Sequence, residues 1–135
     1  MPLVESKYRI KADAQNRAIV GLSMGGGQSL TVGMNNPDKF AWVGGFSAAV
    51  PKETDVATLA DVPALNKKLK WLWIGIGKDD FLLERNKEFL ALLDSKGVRH
   101  QFKLSEGGHS FPVWRSYLEE IVPQLFAARQ VTASK

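Results

Sequence analysis

The chain has 135 residues, 44% of them hydrophobic and 24% charged, with 12 glycines and no cysteine. That composition is ordinary for a soluble globular domain, and the missing cysteine excludes disulfides, thiolate metal sites and cysteine nucleophiles while leaving the compartment open. A net charge of +4 comes from scattered cations, the densest group being Lys67, Lys68 and Lys70 beside a hydrophobic run, without the basic stripe and interleaved aromatics that nucleic acid requires.

The first thirty residues lack the apolar stretch of a secretory signal, and no run in the chain approaches the ~18 apolar residues that span a bilayer. Arg17 to Leu22 is then a short apolar run ending in a glycine-rich turn, and it reads as a strand. Gly25 to Asn36 predicts a helix, stopped by Asn36-Pro37-Asp38. Phe40 to Phe46 and Trp71 to Ile76 are again nearly continuous apolar runs, the pattern of parallel strands buried on both faces.

The polar stretch from Ala48 to Asn66 predicts a connecting loop, with one short helix near Ala64 to Lys68. Leu82, Leu83, Asn86, Phe89, Leu90 and Leu93 share a helical face that Gly97 terminates. Arg99 to Leu104 alternates, as suits a strand nearer an edge. The last helix carries Val113, Trp114, Tyr117, Leu118, Ile121, Val122 and Leu125, with Ser110 as a cap, Pro112 in the first turn and Pro123 as a kink. Strands alternating with helices predict an α/β fold built of βαβ units, as a single domain over residues 1–135.

The sharpest local feature is Gly21-Leu22-Ser23-Met24-Gly25, a G-x-S-x-G pattern lying between a predicted strand and a predicted helix. On that turn a serine hydroxyl stands above the sheet, Gly21 and Gly25 spare the backbone a Cβ clash, and the helix N-terminus favours nearby negative charge. Neither a P-loop nor a dinucleotide fingerprint fits, since Gln28 and Leu30 stand where those motifs need other residues. The simpler reading makes Ser23 a helix cap. A nucleophilic serine needs a base, and the chain has only His100 and His109. His100 lies in the alternating strand and is expected at the surface or half-buried. His109, flanked by Gly107 and Gly108 between the last strand and last helix, can reach the crevice at the strand ends. Asp79 and Asp80 end the third strand, and either could orient the imidazole. Serine, aspartate and histidine then all fall at carboxyl ends of strands, in the chain order of α/β-hydrolases.

With these residues in view, the chain resembles the esterase D-like group of α/β-hydrolases, which includes feruloyl and acetylxylan esterases of carbohydrate esterase family one. The stretches Asn16 to Gly27, Asp38 to Ser47, Gly77 to Asp80 and Gly107 to Phe111 carry the likeness. The resemblance implies Ser23 as nucleophile, His109 as base, Asp80 rather than Asp79 as acid, and the Met24 N–H as an oxyanion donor. It implies no metal and no cofactor. Phe81, Phe111 and Trp114 are candidates for a pocket that takes a small ester.

The resemblance also implies strands before Ser23 that this chain does not present. The expectation is therefore a truncated α/β-hydrolase of about four mostly parallel strands flanked by helices and lacking the N-terminal strands. A bare edge strand and uncovered apolar faces predict a homodimer or higher oligomer. Two functions compete: a serine carboxylesterase, and a weakly active or non-catalytic remnant that acts as an oligomerising or binding module.

Overall fold

Each predicted strand forms, and the four lie parallel in one sheet in chain order: β1 (Ala18–Leu22), β2 (Trp42–Phe46), β3 (Trp71–Gly77) and β4 (Gln101–Ser105). This is a computed structural model that describes residues 1–127; residues 128–135 of the expected domain lie outside the described residues.

Alternation along the strands splits the apolar side chains into two layers. Helix α1 (Pro2–Lys7) precedes the sheet and buries none of its residues, although Arg17 at the foot of β1 pairs with its Glu5. On one face Ile19, Val43, Leu72 and Ile74 pack against α2 (Ser23–Asn35), α3 (Val62–Lys68) and α4 (Leu83–Lys96) through Leu30, Met34, Leu65, Phe89 and Leu93. On the other, Trp42, Phe46, Trp71 and Trp73 meet Trp114, Tyr117 and Ile121 of α5 (Phe111–Ile121). Trp73 contacts Phe46 and Tyr117 edge-on, with centroids 5.5 and 5.3 Å apart, each such pair adding about 0.5–1.5 kcal/mol beyond its buried area.

Strand burial follows position. β2 and β3 are buried throughout, whereas every residue of β1 is half-buried because β1 has a partner on one side only. β4 forms the opposite edge and keeps two exposed residues. Helix α4 ends as its glycine predicts: Gly97 takes φ +73° and Val98 N–H donates to the Leu93 carbonyl.

Several boundaries differ from the sequence reading. Helix α2 starts at Ser23 itself rather than at Gly25, because the reversal out of β1 is completed within a single residue. The Ala48 to Asn66 connection contains two short 3-10 turns, Glu53–Asp55 and Ala57–Ala60, before α3. Ser110 occupies the cap position of α5, but its side chain makes no cap bond. The helix stops at Ile121 instead of running kinked to Leu125; Pro123 has no N–H to donate and its ring crowds the preceding turn.

Candidate active site

Ser23 adopts φ +53°, a left-handed conformation that few non-glycine residues take. It turns the chain from β1 straight into α2, so tightly that a Cβ on Gly21 would sit 2.3 Å from the Gly25 carbonyl oxygen. Gly25 itself meets nothing within 4 Å of an added Cβ. The expectation that both motif glycines avoid a clash therefore holds sterically for Gly21 alone, since Gly25 contributes its backbone oxygen and its side-chain direction is open. Ser23 is not the cap of α2: it is the first helical residue, and Leu22 occupies the cap position. The Ser23 hydroxyl is instead 2.9 Å from Nε2 of His109.

His109 arrives on the loop between β4 and α5. Its Nδ1 lies 2.9 Å from Oδ2 of Asp80. A carboxylate only accepts, so Nδ1–H donates to Asp80 and Nε2 is left to accept from Ser23 Oγ–H. The Asp80 side chain is fully buried, and its Oδ1 accepts from the Leu82 N–H at 2.9 Å. Asp79 is exposed and bonds the loop only through its backbone, N–H to the Gly107 carbonyl at 3.0 Å. The strand ends are clamped together: Lys78 N–H donates to the Ser105 carbonyl at 2.8 Å, and Lys78 pairs with Glu106 at 2.5 Å. Glu106 raises the Lys78 ammonium pKa above its ordinary value through that hydrogen bond and its charge.

Rings enclose the imidazole. Phe81 is tilted against it with centroids 4.7 Å apart, and Trp114 stands perpendicular to it at 4.9 Å. Phe111 packs edge-on against Trp114 at 5.1 Å. Phe81 and Phe111 are 76% and 69% exposed, whereas Trp114 is buried. Met24, also exposed, is the second residue of α2, so its N–H belongs to the first turn, where helix donors lack intrahelical partners. Beside it opens a concavity of about 360 Å³ that includes Gln28, Thr31, Val50 and Asp55. A second, about 230 Å³, lies between Phe46, Phe111, Trp114, Arg115 and Leu118.

His100 takes no part in this cluster. It precedes the amino end of β4, at the opposite end of that strand from His109, and it is buried rather than exposed or half-buried. Its Nδ1 is 2.8 Å from the Val98 carbonyl and its Nε2 is 3.5 Å from Asp94, so local polar partners make burial tolerable.

Two supporting residues escape the sequence reading. Ser47, directly after β2, is fully buried and accepts a hydrogen bond from the Trp114 indole N–H at 2.9 Å. Asn86 of α4 donates to the Ala48 and Leu82 carbonyls at 2.9 and 3.0 Å, tying the loop after β2 to the start of α4, while its Oδ1 has no partner. A polar residue on an otherwise apolar helical face was the available sign of Asn86; Ser47 offered none. Among the described residues, no group of His, Asp and Glu is arranged to hold a metal, and no helix is long and apolar enough to cross a membrane.

Comparison with known proteins places these features in context. The profile of a family described as putative esterase matches residues 1–125. An endo-1,4-beta-xylanase/feruloyl esterase of Xylanibacter ruminicola is 29% identical over 127 residues, which is 93% of this chain and 16% of that protein. An acetyl esterase of Caldicellulosiruptor saccharolyticus is 26% identical, over 84% of this chain and 55% of its own length. The solved structure of a ferulic acid esterase superposes with a TM-score of 0.76 at 32% identity, covering 93% of this chain and 58% of that one. The four-stranded sheet is thus part of an α/β-hydrolase fold, and the chain spans little more than half of even the better-covered relatives.

Proposed function

This chain belongs to the putative esterase family, and we propose that it hydrolyses short-acyl or aryl carboxylic esters through a Ser23–His109–Asp80 triad. The observation that carries the proposal is the unbroken line of two 2.9 Å hydrogen bonds through His109, starting at a serine held in a left-handed turn. His109 Nε2 takes the Ser23 proton as Oγ attacks the ester carbonyl carbon. Asp80 keeps the proton on Nδ1 and stabilises the imidazolium that forms. The Met24 N–H and the α2 dipole favour the oxyanion. As the intermediate collapses, the C–O bond to the leaving alcohol breaks and His109 returns the proton to that oxygen. A water, deprotonated by His109, then releases the acid and restores Ser23.

The exposed rings of Phe81 beside His109 and of Phe111 beside Trp114, together with the feruloyl esterase relatives, support an aromatic acyl or alcohol group. Labelling with a fluorophosphonate is the direct test. Stoichiometric modification of the wild-type chain, absent from Ser23→Ala, is the expected outcome; a folded wild type that resists labelling overturns the triad.

A second reading rests on the sheet edge. β1 has one partner and every residue of it is half-buried, leaving backbone groups open to another strand. A homodimer or larger assembly would cover it, and a chain that assembles without reacting would be an oligomerising module. In this reading catalysis would be weak if no second donor joined the Met24 N–H, since one missing oxyanion donor costs about 10²–10³ in rate. Light scattering is expected to give at least a dimer; a monomer at all concentrations contradicts this.

A further inference from the structure

We propose that Ser47 is a positioning residue which, through Trp114, fixes the plane of the His109 ring between Ser23 and Asp80. The proposal rests on the triad reading above. Its starting point is a coincidence of backbone geometry. Leu22 and Phe46 are the last register pair between β1 and β2, so Ser23 and Ser47 leave the sheet side by side. Both are left-handed, at φ +53° and +46°. Such conformations persist only where the surroundings over-determine them. For Ser23 the sharp turn into α2 is the reason, and Ser47 requires a reason of its own.

Its contacts supply one. Ser47 is fully buried, its N–H donates to the Gly75 carbonyl at 2.7 Å, and its Oγ accepts from the Trp114 Nε1–H. Two residues on, the Ala49 N–H donates to the Ser23 carbonyl at 2.9 Å. The left-handed step therefore lets one short segment brace the nucleophile turn with its backbone and the indole with its side chain.

The indole in turn limits the imidazole. Hydrogen bonds at both ring nitrogens hold His109 at two points, and a ring held at two points can still rock about the line joining them. Phe81 contacts the ring but is largely exposed. Trp114, buried and perpendicular to the imidazole, is the fixed wall; packing holds its ring in the core and the bond from its indole N–H to Ser47 sets the ring's direction. Without that hydroxyl the buried indole N–H has no acceptor, and Trp114 turns to find one.

The test uses Ser47→Gly, which accepts the left-handed backbone and removes the hydroxymethyl group, and Ser47→Ala, which removes the hydroxyl alone, alongside Trp114→Phe and the Ser47→Gly/Trp114→Phe double variant. Fluorophosphonate labelling of Ser23, and kcat and KM on an aryl acetate, are measured together with proton–nitrogen spectra. Ser47→Gly is expected to label about 10-fold more slowly and to lower kcat similarly, with KM within about twofold. The Trp114 indole resonance should shift and exchange faster, and the thermal midpoint should fall by no more than about 10 °C, so labelling is compared well below the transition. The double variant should be no slower than Trp114→Phe, because the two act in series. Wild-type labelling by Ser47→Gly, or independent multiplicative losses, overturns the proposal. If the wild type does not label at all, the triad reading fails separately; cross-peaks between the His109 and Trp114 rings that are unchanged in Ser47→Gly then overturn positioning, and lost cross-peaks support it.

Discussion

Gly77→Ala puts the geometry of the site to a quantitative test at a residue that takes no part in the chemistry. Gly77 ends β3, and a Cβ there would lie 2.1 Å from the Gly107 carbonyl oxygen and 2.7 Å from its carbon, where ordinary contact begins at 3.4 Å. The obstacle is backbone on both sides, so one strand end must retreat from the other by about 1.3 Å, the difference between 3.4 and 2.1 Å. Asp79 N–H is bonded to that same Gly107 carbonyl, and His109 follows two positions later. Along the 2.9 Å bond from His109 to Asp80, such a retreat exceeds the ~3.2 Å reach of a hydrogen bond.

Overpacking of this kind costs about 1–3 kcal/mol, or roughly 4–12 °C in thermal midpoint for a chain of this size. Misplacing a reacting group by about 1 Å costs as much as 100-fold in rate. Calorimetry and fluorophosphonate labelling below the transition should therefore diverge: a modest loss of stability, and a labelling rate lower by about two orders of magnitude. A Gly77→Ala chain that labels within about threefold of wild type would refute the claim that this contact sets the distance between His109 and Asp80.

Gly25→Ala is expected to behave in the opposite way. Open space surrounds its Cβ and it lies in the first turn of α2, so the thermal midpoint should hold or rise, by up to about 1 kcal/mol of helix propensity. Asp80→Asn should leave the fold intact but reverse the imidazole tautomer, lowering kcat by about 10⁴; kinetics with a matched circular dichroism spectrum check it. Burial, and secondarily the Asp80 charge, raise the Tyr117 phenol above its ordinary value of 10.0 against the pull of its 2.5 Å hydrogen bond with Ser105. The folded state therefore holds the phenol proton more tightly than the unfolded chain does. Stability should fall as pH rises past 10.0 and level off above the folded-state value, and Tyr117→Phe should remove that fall in melting curves against pH.

Every parallel strand was legible in the sequence because a strand buried on both faces leaves a continuous apolar run, as in Trp71 to Ile76, and an edge strand leaves alternation, as in Arg99 to Leu104. The turn around Ser23 and the glycine-flanked loop of His109 were legible for a related reason: short motifs record local backbone demands. Tertiary structure alone decided the rest. Asp79 and Asp80 are chemically identical neighbours that the family resemblance separates but residue chemistry does not, and it is the fold that buries Asp80 under His109 while leaving Asp79 in solvent. His100, expected at the surface or half-buried from its alternating strand, is buried by partners in its own turn and in α4. Ser47 reads as one more loop serine, and its bond to Trp114 closes across 67 positions of sequence. Periodicity and turn chemistry act between neighbours in the chain, so a sequence displays them directly. Which side chains meet above the sheet depends on strand order and register, and those are fixed only when the layers pack.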